Sequence, residues 1–189
     1  GEGRSGTTLA ADMLGLHSEM SPLYETDFVS EFVAVLQNHR LLPPHEPREI
    51  THEHLKKVSE EILGHIRRWC YTPLPHNDKA NHEAFYHGPQ YIRFTRGEAL
   101  HGAQQFLRNL EDDLRSARPP YRALRTLCDT LFAQHLRRDG GKQIVVNKTP
   151  NYIEILDHLS AMYPEAKVIH CVRDGRDVAC SLVKRPFGP

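Results

Sequence analysis

Apolar residues recur every three or four positions in three segments, which is the period of a helix with one buried face. These segments run from Thr51 to Trp69, from Glu98 to Arg115 and from Leu124 to Leu136. A shorter helix is predicted over Phe28–Leu36, ahead of three prolines that end it. The middle of the chain, residues 28–140, is therefore predicted to be mainly helical.

A different pattern follows this helical region. Gln143–Val146 and Lys167–Val172 are short runs rich in β-branched residues, which predict buried parallel strands. After the first run, Thr149 is a candidate N-cap and Pro150 stands at the first position of a helix. After the second run, a turn leads into a helix through Ser181. Alternating strands and helices predict an α/β fold, in which functional groups gather beyond the carboxyl ends of parallel strands.

The chain begins with a glycine loop that opens a helix. Gly1 and Gly6 have the glycine spacing of a nucleotide-binding P-loop, but Thr7 stands where that motif needs lysine and the cation is Arg4. The backbone N–H groups of such a loop, together with the helix N-terminus, can hold an anion. For this stretch alone, an ordinary glycine turn before a capped helix is an equally good interpretation.

Composition narrows the possible classes of function. The 189 residues suit one domain, and 24 lysines and arginines balance 24 aspartates and glutamates. A neutral chain has no overall attraction to nucleic acid or to an anionic membrane, so any anion site must be local. No apolar run is long enough to span a bilayer. The four cysteines lack paired short spacing and the histidines lack a ligand pattern, which favours free thiols, a reducing compartment such as the cytoplasm, and no metal site.

Three cations lie at turns of the predicted α/β region: Arg4, Lys148 and Arg173. Three such positions indicate a ligand with more than one anionic group. In these motifs the chain resembles the sulfotransferase family, specifically the branch of the protein-tyrosine sulfotransferases and their bacterial relatives. Gly3–Leu9 is similar to the family's loop for the 5′-phosphosulfate of 3′-phosphoadenosine 5′-phosphosulfate (PAPS). The segment from residue 172 to Ser181 is similar to its 3′-phosphate motif, and residues 147–150 to its lysine-bearing turn.

The resemblance implies a role for each matched residue, with PAPS as the sulfuryl donor and no metal. The residues implied to bind the donor are Arg4, Ser5, Gly6, Thr7, Thr8, Arg173 and Ser181. Arg4 and Lys148 would neutralise charge on the transferred group and on the departing phosphate oxygen. Glu25 matches the place of the catalytic glutamate and would take a proton from an acceptor hydroxyl or amine. Without the resemblance, a solvated loop carboxylate would be the better interpretation of Glu25.

The fold implied is a P-loop-type parallel sheet flanked by helices, in a single domain over residues 1–189. The resemblance covers residues 1–27 and 143–189, so residues 28–140 are interpreted as a helical cap inserted over the acceptor site. A long loop is predicted over Tyr71–Arg96, where aromatic side chains could line that site. We expect the chain to be truncated at both ends, because such a loop normally follows a strand.

Two other classes of function remain as alternatives. A P-loop kinase or NTPase would need the loop lysine for the phosphates and a carboxylate at a strand end for Mg²⁺. Thr7 replaces that lysine, and the two predicted strands end in Asn-Lys and Arg-Asp. The second alternative is a non-catalytic nucleotide-binding or interaction module built on the helical region. The acceptor class, whether small molecule, carbohydrate or peptide, stays open.

Overall fold

The structure is a computed structural model that describes residues 4–43, 50–71 and 96–183. Its elements, in chain order, are α1 (Thr7–Gly15), β1 (Met20–Tyr24), α2 (Phe28–Asn38), α3 (His52–Tyr71), α4 (Arg96–Arg115), α5 (Tyr121–Arg138), β2 (Ile144–Lys148), a 3-10 helix (Pro150–Ile155), α6 (Leu156–Met162) and α7 (Gly175–Val183). The predicted mixture of helices and a parallel sheet is confirmed. The loop predicted over Tyr71–Arg96 falls mainly on residues 72–95, which lie outside the described residues.

The sheet of the described part has two strands, β1 and β2, paired in parallel. Met20 is opposite Ile144 at one end of the pair, and Tyr24 is opposite Lys148 at the other. Because the strands are parallel, both deliver the residue that follows them to the same edge. Strand β1 is not among the strands predicted from the sequence. It contains Pro22, and a residue without an N–H is uncommon inside a strand.

The strand predicted over Lys167–Val172 is not formed. Val168, Ile169 and Val172 are 64%, 62% and 79% exposed, although their composition favours a buried strand. A cavity of about 390 Å³ is lined by Val145 of β2 and by Val168 and Ile169. A strand needs a neighbour to satisfy its backbone N–H and C=O groups, and among the described residues none provides one for this segment.

The helical region packs around one apolar core. Helix α4 lies along α5, and α3 contacts both α2 and α4. Fully buried side chains in this core include Phe28, Phe32, Leu36, Ile62, Phe106, Leu110, Leu124, Leu127 and Leu131. Each such side chain contributes about 1.5–3 kcal/mol when it leaves water, so this cluster is the main source of stability in the described part. The predicted apolar faces of α3, α4 and α5 are thus confirmed.

Helix α1 packs on the sheet, where it contacts both β1 and β2. This helix begins at the glycine loop and so connects that loop to the sheet. Leu9 and Met13 of this helix and Leu16, which follows it, are exposed, at 64%, 63% and 87%. Across the described ranges, the helices include none with the length and apolar character needed to cross a membrane.

Candidate functional site

Two predicted site residues meet at the carboxyl edge of the sheet. Glu25 follows β1 directly, and its N–H donates to the C=O of Lys148, the last residue of β2, over 3.0 Å. The side chains form an ion pair, in which Lys148 Nζ donates to Glu25 Oε1. The Lys148 side chain is 10% exposed and that of Glu25 is 32% exposed. The pair is therefore largely withdrawn from water, with Glu25 as its more accessible member.

The backbone at two of the predicted site residues has an unusual conformation. Arg4 has a φ of 68° and Glu25 a φ of 50°, both in the left-handed region. This region costs a residue with a Cβ about 1–2 kcal/mol and persists only where surrounding contacts hold it. Two further described residues outside glycine share it, Arg40 and Ala117. The strain at Glu25 shows that the neighbouring residues fix its position.

A cluster of hydroxyl and amide groups, in which Thr26 and Thr149 are buried, supplies that restraint. We call it the Thr26 network: Thr26, Asn147, Thr149 and Tyr152. The Thr26 N–H donates to Thr149 Oγ1 over 2.8 Å, and Thr26 Oγ1 lies 3.0 Å from Asn147 Oδ1, 3.0 Å from Thr149 Oγ1 and 2.7 Å from the Tyr152 hydroxyl. The network includes the residue after Glu25 and both neighbours of Lys148. It therefore restrains the chain next to each residue of the ion pair.

Tyr152 closes the Thr26 network from the 3-10 helix. Burial raises the pKa of its hydroxyl well above the usual value, so the hydroxyl keeps its proton and donates to the Thr26 backbone carbonyl. Thr149, predicted as an N-cap, occupies the position before the helix but makes no capping hydrogen bond. Its hydroxyl donates instead to Asn147 Oδ1 over 2.9 Å. The Thr149 side chain in the turn after β2 therefore bonds within the Thr26 network and does not cap the helix that follows.

Asp27 is a second carboxyl near the ion pair, and its significance was missed at the level of sequence. Burial raises the pKa of Asp27, and the negative charges of Glu25 and Glu31 raise it further, whereas Lys148 acts in the opposite direction. Asp27 occupies the N-cap position of α2 without a side-chain capping bond. A carboxyl whose pKa is raised beside another carboxylate is a common feature of acid–base sites.

The glycine loop leads into the N-terminus of α1. Gly6 is the N-cap with a φ of 86°, a conformation that glycine adopts without the penalty of a Cβ, and its C=O accepts the Ala10 N–H over 3.0 Å. Thr7 and Thr8 are the first residues of the helix, so their backbone N–H groups lie at its N-terminus, where they can bind an anion. The first turn carries no acidic residue that would repel an anion. Gly1 and Gly3 lie outside the described residues.

The second predicted motif lies directly against this loop. Arg4 Nε donates to Ser181 Oγ over 3.0 Å, and Arg173 Nη1 donates to the Arg4 carbonyl over 3.2 Å. The exposed Arg173 guanidinium is also 3.8 Å from the Asp177 carboxylate. Ser181 comes from α7 and stands 177 positions away from Arg4 in the chain. The fold therefore joins the two ends of the described chain into one cationic and hydroxyl-rich surface.

The predicted site residues fall into two groups on neighbouring elements. One is the pair of Glu25 and Lys148, and the other is Arg4 with Arg173 and Ser181 at the start of α1. Helix α1 contacts both strands and so links the groups. The cavity of about 390 Å³ is lined by Asn147 and Thr149 but by none of the predicted site residues. Within the ranges described, no group of three histidine, cysteine or acidic side chains is arranged to hold a metal ion.

Comparison with known proteins identifies one family. A sequence model described as the sulfotransferase family matches residues 1–188. Among curated proteins, the chain is similar to the nodulation protein NoeE of Sinorhizobium fredii, with 38% identity over 58 residues. The aligned part is 31% of this chain and 14% of that relative, so the chain covers only a small part of the relative's length. The search of solved structures gave no significant match.

Proposed function

Because the chain belongs to the sulfotransferase family, we propose that it transfers a sulfuryl group from PAPS to an acceptor hydroxyl or amine. The observation that supports this most directly is the Glu25–Lys148 ion pair at the carboxyl edge of the sheet. A base and a cation in contact suit a reaction in which one group loses a proton while another gains negative charge.

Donor binding would use the surface at the start of α1. The residues proposed to hold the 5′-phosphosulfate are Ser5, Gly6, Thr7 and Thr8, through their N–H groups and hydroxyls. Arg173 and Ser181 would hold the 3′-phosphate. Arg173 and Ser181 both contact Arg4, so one compact surface offers cations to both anionic ends of the donor. Donor oxygens would replace the present contacts among these side chains.

Transfer forms a bond between sulfur and the acceptor atom and breaks the bond between sulfur and the phosphate oxygen. Glu25 would receive the acceptor's proton. Lys148 and Arg4 would stabilise the negative charge that develops on the sulfuryl group and on the departing oxygen. Removing one preorganised donor of this type costs about 10²–10³-fold in turnover in well-studied enzymes. The desulfated nucleotide, 3′-phosphoadenosine 5′-phosphate, leaves as the second product.

The ion pair gives this reaction an order of events. In the described structure Lys148 and Glu25 neutralise each other in a site where the lysine is 10% exposed. An anionic donor attracts Lys148 and repels Glu25, so its arrival would separate the pair. Glu25 then becomes free to accept a proton at the moment when the cation is needed at the leaving oxygen. Asp27, with its raised pKa, is the next carboxyl available to accept a proton.

Residues 28–140 are proposed to form the cap over the acceptor. Helix α2 begins three residues after Glu25, so the helical region starts at the proposed base. The acceptor could be a small molecule, a carbohydrate or a peptide. The kinase alternative is not favoured, because the family match is to sulfotransferases and the loop has Thr7 in place of lysine.

Nucleotide-dependent stabilisation tests the proposal without knowledge of the acceptor. The full-length protein should be stabilised by 3′-phosphoadenosine 5′-phosphate in EDTA, by about 2.7 kcal/mol at a hundredfold excess over its dissociation constant. Adenosine 5′-monophosphate, which lacks the 3′-phosphate, should stabilise it much less. Arg173→Ala should reduce the effect, whereas the control Arg115→Ala, at an exposed residue paired with Glu111 on α4, should not. A preference for magnesium-ATP would contradict the proposal and support the kinase alternative.

A further inference from the structure

We propose that Tyr24, held in place by Asp12, is a positioning residue for Lys148. The face of the Tyr24 ring would keep the lysine ammonium directed along the edge of the sheet when the ammonium separates from Glu25. The inference rests on the proposed function and adds two residues that the motifs did not indicate. Its physical basis is strand register, a cation–π contact and a hydrogen bond that Tyr24 donates to Asp12 of α1.

The register of the sheet places Tyr24 and Lys148 next to each other. They are directly paired residues of β1 and β2, so their side chains stand on the same face. Lys148 Nζ lies 5.4 Å from the centroid of the Tyr24 ring, within the range of about 6 Å for a cation–π interaction. Tyr24 is 6% exposed and the Lys148 side chain 10% exposed. An interaction of this kind is stronger when both partners are removed from water.

Asp12 fixes the orientation of the ring. The Tyr24 hydroxyl donates a hydrogen bond to Asp12 Oδ1, and Asp12 lies on α1. Burial raises the pKa of Tyr24, and the hydrogen bond and charge of Asp12 raise it further, so the hydroxyl remains a donor. Helix α1 begins at the proposed donor-binding loop. Through Tyr24, the contact therefore connects α1, which begins at the proposed donor-binding loop, to Lys148, the cation proposed to act on the donor.

The two contacts of Lys148 have different fates in the proposed reaction. The contact with Glu25 must break, because Glu25 takes the acceptor's proton and Lys148 moves towards the leaving oxygen. The contact with Tyr24 can persist, because a ring face attracts the ammonium without fixing a single direction. Without the ring, the long lysine side chain would lose its second restraint at that moment. Loss of the ring should therefore lower turnover more than donor affinity.

The test compares variants that separate the ring from the hydroxyl. Tyr24→Leu removes the ring, and turnover of PAPS should fall about 3–30-fold, with the affinity for 3′-phosphoadenosine 5′-phosphate within twofold of wild type. Tyr24→Phe keeps the ring and should retain turnover within about threefold. Asp12 loses its hydrogen bond in this variant, but it is exposed, so water can replace the lost hydroxyl. Asp12→Ala should resemble Tyr24→Phe or lose slightly more, and Asp12→Asn should be close to wild type.

A measurement independent of transfer follows the amine itself. The acylation rate of Lys148 by a trace of acetic anhydride, read by mass spectrometry in the full-length protein, should rise most in Tyr24→Leu. It should rise by a smaller amount in Tyr24→Phe and Asp12→Ala, which keep the ring but remove its hydrogen bond to Asp12. Normal turnover and acylation in Tyr24→Leu would refute the inference, as would an equal loss of nucleotide affinity and turnover. If Tyr24→Leu fails to fold, Tyr24→Phe and Asp12→Ala give the decisive acylation rates, and a rate unchanged from wild type in both variants refutes the inference. A wild-type protein that binds no 3′-phosphoadenosine 5′-phosphate would refute the proposed function and leave the acylation comparison valid.

Discussion

Replacing Thr26 with valine removes one oxygen from the centre of the Thr26 network and keeps the shape of the side chain. Thr26 is 1% exposed, and its Oγ1 is within 3.0 Å of groups on Asn147, Thr149 and Tyr152. Valine retains the β-branched form, so packing should change little. The substitution therefore isolates the polar contribution of the hydroxyl.

The cost can be worked out group by group. Two hydrogen bonds remain, because they involve the backbone of residue 26. Thr149 Oγ1 still accepts from the N–H, and the Tyr152 hydroxyl still donates to the carbonyl. Asn147 Nδ2 loses the acceptor at 2.7 Å that Thr26 Oγ1 provides. Lost hydrogen bonds cost about 0.5–1.5 kcal/mol each and a buried group left without a partner about 1–3 kcal/mol. We expect Thr26→Val to lower the free energy of unfolding by about 2–4 kcal/mol.

Urea unfolding of the full-length protein measures this loss, and an unchanged slope with denaturant would show that the denatured state is not affected. Thr130→Val is the matched control. Among the described residues, its hydroxyl donates to the Thr126 carbonyl alone, over 2.8 Å and within α5, a type of bond that contributes little to helix stability. The control should lose no more than about 0.5 kcal/mol. Equal losses in the two variants, or no loss in Thr26→Val, would refute the assignment of the Thr26 network as the support of the ion pair.

Two further pairs of variants test the site and the loop. Glu25→Ala should reduce turnover by about 10²–10⁴-fold with nucleotide affinity nearly unchanged, whereas Arg173→Ala should mainly weaken nucleotide binding in calorimetry; near-normal turnover in Glu25→Ala would place the base elsewhere. Gly6→Ala should destabilise the protein by about 1 kcal/mol, because its φ of 86° disfavours a Cβ even though no atom of the described residues lies within 4 Å of one. Gly64→Ala, inside α3 and with equal space, should stabilise it by up to about 1 kcal/mol in thermal melts, and the same sign for both glycines would contradict this account.

The helices were predictable from sequence because their apolar faces are long and regular. Helices α3, α4 and α5 have 20, 20 and 18 residues, enough for the helical period to recur several times. The strands have 5 residues each, which is too short for a pattern to distinguish them from turns or buried loops. Pro22 is unusual inside a strand, so β1 was not recognised. The run at 167–172 has the β-branched residues of a strand but pairs with no other strand among the described residues. Pairing depends on distant residues, so local composition cannot establish it.

The candidate site was predictable in its residue types and less so in its geometry. Motif spacing selected Arg4, Lys148 and Arg173, and the resemblance selected Glu25. Neither could show that Lys148 contacts Glu25 or that Arg4 contacts Ser181, since those contacts depend on how α1 and the strands pack. Tyr24 and Thr26 were overlooked as supports because their side chains are common in strands and turns. Their importance follows from register and burial, which only the folded chain defines.

At the ion pair the backbone is held firmly, whereas the two charged side chains are free to separate. The Thr26 network and the bond between the Glu25 N–H and the Lys148 carbonyl hold the backbone, including a left-handed φ at Glu25. The two charged side chains are held mainly by each other and by the Tyr24 ring. Because the backbone is held, an incoming anion can separate the side chains of Glu25 and Lys148 without a change in the conformation of the turn. We infer that this is why a strained residue carries the proposed base, because the strain fixes where the carboxylate starts while its contact with Lys148 decides when it acts.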